Sequence, residues 1–132
     1  MALEFSFDQR QDLVLVRLIG GLTLGPQLTQ FARRMTALFA SQNMRGVLLD
    51  LRGVDQIDSA GLGELVILYT SSGEAGCHLC LVQPTDHILK LLETTRLANL
   101  FPKFSDEHSA GMWVRTQPPQ NVNRPRPGGA EV

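Results

Sequence analysis

Apolar and polar positions alternate at the start of the chain, where Leu3, Phe5 and Phe7 are separated by Glu4 and Ser6 and followed by Asp8. A period of two is the signature of a half-buried strand. The polar run Gln9 to Asp12 suits a tight connection, and Leu13 to Ile19 resumes as a second strand. Residues 3–19 therefore predict a hairpin, ended by Gly20-Gly21. The period then changes. Leu28, Phe31, Ala32, Met35, Leu38 and Phe39 recur at helical spacing, giving one apolar face. Pro26 stands where a first helical turn tolerates its missing N–H. This helix is expected to stop near Ser41 to Asn43. Arg33 and Arg34 fall off its stripe and are expected in solvent.

Val47 to Leu51 is a short apolar run that predicts a buried central strand. Arg52, Gly53 and Asp55 predict a turn after it. Asp58 and Ser59 then stand directly before a long apolar-periodic segment, which marks a helix start. The helix is expected from Ser59 to about Ser72, with Leu62, Leu65, Val66 and Tyr69 buried. Ile67 and Leu68 make it apolar over more than one side. His78 to Val82 predicts another strand, broken by Pro84. Thr85 is placed to cap a third helix carrying Ile88, Leu89, Leu91 and Leu92. Leu97 to Phe104, interrupted by Pro102, predicts an edge strand. Ser105-Asp106-Glu107 predicts the cap and acidic first turn of a last helix carrying Ala110, Met112 and Trp113. The order β-β-α-β-α-β-α-β-α predicts an α/β fold: a mixed, mostly parallel sheet of four to five strands with helices packed on it. From Gln117 onward prolines and glycines dominate, so residues 1–116 are expected to form one domain and 117–132 a disordered tail.

Composition narrows the function classes. At 132 residues, 43% hydrophobic and 19% charged, the chain suits a single globular domain. A net charge of −1 gives no basic face for direct nucleic-acid binding. No run of 18 apolar residues predicts membrane insertion, and the first residues lack the pattern of a signal peptide. The cytoplasm is the expected location.

The candidate chemistry centres on Ser59. One reading is a helix cap, whose loss to alanine costs about 1 kcal/mol. The other is a phosphorylation site, where the first-turn N–H groups receive the phosphate oxygens. Gly61 and Gly63 each cost a helix about 1 kcal/mol relative to alanine, which suggests that something approaches the backbone closely. Asp58 is a candidate to cap the helix, hold the Ser59 hydroxyl or assist a kinase. Asp50 and Asp55, near the strand's end, are candidates either for Mg²⁺ or for solvated and turn-capping roles. Cys77 and Cys80 form a nominal C-x-x-C, but they enter a strand and lack a second ligand pair, so packing is expected rather than metal or redox chemistry. A hydrolase using Ser59 would need a G-x-S-x-G elbow and a placed histidine. The chain has Asp-Ser-Ala-Gly, with His78, His87 and His108 scattered. No dinucleotide or Walker loop is present, and no cofactor, metal or catalytic residue is expected.

The segment Val47-Leu-Leu-Asp-Leu-Arg-Gly-Val-Asp followed by Ile57-Asp58-Ser59-Ala60-Gly61-Leu62-Gly63 resembles the STAS domain, in particular the stand-alone anti-sigma factor antagonists of bacteria. Leu18-Ile-Gly-Gly-Leu22, Cys80-Leu-Val-Gln-Pro84 and Leu91 to Phe101 match in the same order, so the likeness spans about residues 3–115. The resemblance implies a non-enzymatic switch. Such an antagonist binds an anti-sigma factor that is also a serine/threonine kinase, and so frees the sigma factor. The kinase phosphorylates the serine after the motif aspartate, here Ser59, and a phosphatase resets it. The implied partner surface comprises Asp58, Ser59, Ala60, Gly61, Leu62, Gly63 and the turn at Thr23. One turn departs from the pattern: where the family commonly has Gly-Glu-Leu-Asp, this chain has Gly20-Gly21-Leu22-Thr23, without the final acid. The missing acid favours a second role, a STAS scaffold in a signalling assembly or a lipid-transport complex without phospho-switching. Neither role fixes the oligomeric state.

Overall fold

The computed structural model describes residues 1–41 and 43–118. The tail from residue 119 onward lies outside the described residues. Strand β1 (Glu4–Arg10) turns at Gln11, whose φ is 59°, into β2 (Leu13–Leu22). The two pair antiparallel, with Phe5 opposite Leu18 and Phe7 opposite Val16. Helix α1 (Pro26–Ser41) leads to β3 (Gly46–Ile57), α2 (Ser59–Glu74), β4 (His78–Val82) and α3 (Asp86–Thr94). A 3-10 turn (Ala98–Leu100), the two-residue strand β5 (Lys103–Phe104) and α4 (Glu107–Thr116) complete the described chain. The sheet order is β1-β2-β3-β4-β5, with β2 to β5 mutually parallel.

Alternation along the strands divides the core in two. Val14, Val16, Leu18, Val47, Leu49, Leu79 and Leu81 face a large cluster closed by α1, α2 and α3. Leu13, Leu15, Leu48, Cys80 and Val82 face α4 through Ala110 and Val114. Fully buried side chains such as Phe31 and Leu49 contribute about 1.5–3 kcal/mol each by leaving water. Phe5 and Phe7, on the edge strand, are covered from α1 by the Arg34 guanidinium at 5.8 and 5.0 Å from their ring centres. Arg34 is thus a lid over the aromatic edge as well as a solvated charge.

Three expectations are corrected. Strand β3 does not turn at Arg52 to Asp55 but continues to Ile57. Beyond Leu51 its buried positions fall at Val54 and Ile57, three apart, because the register with β2 shifts between Arg17 and Ile19 and again between Gly20 and Gly21. That irregularity hides the period of two. Correspondingly, β2 does not end at Gly20-Gly21 but runs to Leu22. Gly20 sits in the bulge at φ +98°, where a Cβ would lie 2.3 Å from the Ala2 carbonyl oxygen. Finally, Leu97 to Phe104 holds a 3-10 turn and only two strand residues.

Candidate functional site

The site forms where β2 and β3 finish side by side and their chains diverge into α1 and α2. Leu22 pairs with Ile57, so Asp58 begins beside the loop Thr23-Leu24-Gly25. Asp58, not Ser59, is the N-cap of α2. Its Oδ1 accepts the Gly61 N–H at 2.9 Å and its Oδ2 accepts the Leu24 N–H at 3.0 Å. One carboxylate therefore closes the helix and pins the β2–α1 loop to it. These two N–H groups, Leu24 first and Gly61 second, hold the carboxyl below its ordinary range. The Asp58 N–H also donates to the Leu22 carbonyl at 3.4 Å.

Ser59 is the first residue of α2 and is exposed. Among the described residues no side-chain hydrogen bond engages its hydroxyl. The cap role falls to Asp58 because its longer side chain, one position earlier, reaches the N–H three residues on. Of the first-turn N–H groups expected to receive a phosphate on Ser59, that of Gly61 is engaged by Asp58. Ala60 and Leu62 are half-buried. The two glycines part ways. At Gly61 a Cβ would stand 1.9 Å from the Leu22 carbonyl oxygen, so the close approach inferred from sequence is made by the protein's own backbone. At Gly63 a Cβ would meet nothing within 4 Å. Thr23 lies half-exposed in the pinned loop, next to Leu24, which is 80% exposed.

Helix α2 is also rotated from the expected stripe. Gly61, Glu64, Leu65, Leu68 and Ser72 are buried, Val66 is half-buried, and Tyr69 lies at the rim, packed edge-to-face on Phe101 with ring centres 5.7 Å apart. The outward face carries Ser59, Gly63 and Ile67, four residues apart, and Ile67 is 56% exposed. The helix has no lysine or arginine.

Glu64 was not singled out by sequence, because a lone acid on an apolar helix normally faces solvent. It is buried, and among the described residues it has no hydrogen bond or ion pair. Desolvation raises its pKa. The folded state thus holds this proton more tightly than the unfolded chain. Its contribution to stability is full below the ordinary carboxylate value and is lost as pH rises through the raised one. Glu64→Gln is expected to stabilise the domain by about 1 kcal/mol at neutral pH and to flatten this decline. Urea unfolding of both proteins from pH 4 to 8 measures it; parallel profiles would refute it.

The other candidate groups lie elsewhere. Asp50 is buried, accepts the Arg52 N–H at 3.1 Å, and pairs with the guanidinium groups of Arg52 at 3.2 Å and Arg17 at 3.5 Å. It caps and neutralises the sheet face, while Asp55 is exposed. Among the described residues no three His, Cys, Asp or Glu side chains gather as a metal site. Cys77 and Cys80 face the two separate cores, and burial pushes both thiols up to about 12. His78 packs edge-on to Trp113 and contacts the Pro118 carbonyl, and no histidine hydrogen-bonds Ser59. Among the described residues no helix is long and apolar enough to cross a membrane.

Comparison with known proteins places this geometry. Residues 4–110 match the STAS domain family. A putative anti-sigma factor antagonist from Thermotoga maritima superposes with a TM-score of 0.75 at 24% identity, over 84% of this chain and 94% of that one. The anti-sigma factor antagonist SpoIIAA in its unphosphorylated form gives 0.73 at 17% identity, over 85% and 96%. The phosphorylated form of SpoIIAA, the Bacillus cell fate determinant, gives 0.67 at 18% identity, over 85% and 100%. With the family matched across most of its length and the five-stranded sheet shared with these proteins, the chain belongs to the STAS domain family.

Proposed function

We propose that this protein is an anti-sigma factor antagonist. Unmodified, it binds an anti-sigma factor serine kinase and so releases the sigma factor. Phosphorylation of Ser59 ends the binding, and a phosphatase restores it. The observation that carries this reading is Ser59 itself: exposed, with an unengaged hydroxyl, at the head of a helix face without cations. Because Asp58 already holds the Gly61 and Leu24 N–H groups, a phosphate on Ser59 would project outward beside a carboxylate. Its charge would confront the partner, with only part of it offset by the helix dipole. The likeness to SpoIIAA, known in both unphosphorylated and phosphorylated forms, supports the same reading. Asp58, Ala60, Gly61, Leu62, Gly63 and Thr23 complete the proposed contact surface, with Asp58 and Gly61 acting mainly by holding its shape.

A panel of anti-sigma factor serine kinases with Mg²⁺-ATP, followed by intact-mass measurement, tests the proposal. The expected result is one added phosphoryl group with at least one kinase, abolished in Ser59→Ala. Absence of modification with every kinase, or modification that survives Ser59→Ala, would refute it. Thr23, in place of the acid common in the family, favours a second reading as a constitutive scaffold in a signalling assembly or lipid-transport complex. The fold also occurs as part of a larger protein: this chain matches 19% of the mouse anion transporter Slc26a9 with a TM-score of 0.71. A domain that no kinase modifies would fit that role.

A further inference from the structure

Strand β1 closes one side of the sheet, and among the described residues no strand pairs with its free edge. Such an edge presents unpaired N–H and C=O groups, a template for another strand unless something blunts it. Neither proline nor lysine interrupts Glu4–Arg10, and its register with β2 runs unbroken over seven pairs, without a bulge. The opposite edge, β5, has only two residues. Alternation divides the side chains of β1 between two faces. Phe5, Phe7 and Gln9 lie on the α1 side, where a groove of about 330 Å³ between β1 and α1 is walled by Phe7, Gln9, Arg34 and Ala37. Glu4, Ser6, Asp8 and Arg10 lie on the other side and carry charges of both signs. Glu4 is exposed and, among the described residues, engages no other side chain. Arg10 is held over the strand by Asp8 at 3.1 Å and Glu107 at 3.2 Å, with its side chain still 40% exposed.

We propose that β1 pairs antiparallel with β1 of a second copy of this chain, about a two-fold axis through Phe7, and so joins two five-stranded sheets edge to edge. The strand's own sequence selects this occupant and this register. An axis through Phe7 sets Glu4 opposite Arg10 of the second copy, and Arg10 opposite its Glu4. Ser6 then faces Asp8, Phe7 faces Phe7, and every residue of the strand is paired. Moving the axis to Ser6 would set Glu4 against Asp8, and moving it to Asp8 would set Asp8 against itself. Like charges directly opposite are destabilising, whereas opposite charges and aromatic pairs are favourable. On the α1 side, Phe5 of the second copy comes opposite Gln9, beside the groove. Each copy thus offers an aromatic ring to the groove of the other, and each contact occurs twice. The pairing does not depend on the function proposed for Ser59. Strand β3, which leads to Ser59, lies two strands in from β1, so that site stays open in the dimer.

Sedimentation velocity of the wild-type chain over a range of concentrations is expected to show a monomer–dimer equilibrium. Glu4→Arg and Arg10→Glu each set two like-charged pairs across the axis and are expected to weaken dimerisation about tenfold or more. Mixed in equal amounts, the two variants should dimerise with each other within about threefold of wild type, because both pairs across the mixed dimer are again of opposite charge. Recovery on mixing also shows that both variants are folded. Amide exchange of the wild type needs no substitution: the β1 N–H groups that point away from β2 should exchange more slowly at concentrations where the dimer forms. If Arg10→Glu fails to fold on losing Asp8 and Glu107, this exchange measurement decides alone. A wild type that stays monomeric, or single variants that dimerise as wild type does, would overturn the proposal. So would folded variants that do not recover on mixing, or β1 amides that exchange equally fast in monomer and dimer.

Discussion

Gly61→Ala is expected to lower the melting temperature by about 8 °C, the largest loss from adding a single methyl group near the site. The cause is local. A Cβ at Gly61 would stand 1.9 Å from the Leu22 carbonyl oxygen and 2.8 Å from its carbon. These are backbone atoms at the end of a parallel strand, and no side-chain rotation relieves the overlap. Either α2 lifts from the sheet or the end of β2 retreats. Lifting α2 withdraws Leu65 and Leu68 from the core. Displacing β2 loosens the Asp58 N–H to Leu22 contact and the Leu24 N–H to Asp58 bond. Overpacking of this kind costs about 3 kcal/mol, and the gain of about 1 kcal/mol from helix propensity offsets only part of it. For a domain of this size each kcal/mol corresponds to several degrees. Thermal unfolding followed by circular dichroism measures the change, with Gly63→Ala as the control of opposite sign. A Gly61→Ala protein as stable as Gly63→Ala would show that α2 and β2 part easily and are not locked together at Leu22.

The contrast between these glycines shows what was legible in the sequence. Two glycines in the first turns of a helix announced a close approach, but not by what. The spacing is the same whether the approaching backbone belongs to β2 or to another protein; only the position of Leu22 separates them. The rotation of α2 was hidden for a related reason. Leu62, Leu65, Val66 and Tyr69 make as good a stripe as Gly61, Leu65, Leu68 and Ser72 on a helix apolar on several sides. The seating of Gly61 on Leu22 chooses between them, and this choice buries Glu64. The element order and the parallel core were legible because the apolar runs of β2, β3 and β4 and the periodic faces of α1 and α3 are unambiguous. The length of β3 was not, since Arg52, Gly53 and Asp55 carry turn chemistry but are held in the ladder by the shifted pairing with β2. Leu24 left one faint signal, an apolar residue inside a Gly-Pro-bounded loop that belongs to no periodic face.

Ser59→Asp is expected to weaken binding to the cognate kinase about a hundredfold, while Ser59→Ala binds within about threefold of wild type. Both variants should stay folded, because the cap bonds belong to Asp58 and the Ser59 hydroxyl makes none. Their unfolding free energies are expected within about 0.5 kcal/mol of wild type, as for exposed positions without special contacts. An acid in the first turn is even favoured by the helix dipole, although Asp58 beside it takes back part of that gain. The binding loss has a different origin. The exposed Ser59 heads a helix that carries no lysine or arginine, so a carboxylate there enters the proposed interface with no counter-charge from α2. Leaving a charge unpaired on desolvation costs about 3 kcal/mol, which is roughly a hundredfold in affinity. Salt separates this cause from simple repulsion. Long-range repulsion between acids is largely screened at high ionic strength, whereas a desolvation penalty persists. Calorimetric titration at low and high salt should therefore show the same large gap between Ser59→Asp and Ser59→Ala. A gap that closes with salt would assign the switch to repulsion from acids on the partner, and equal affinities of the two variants at both salts would remove Ser59 as the switch.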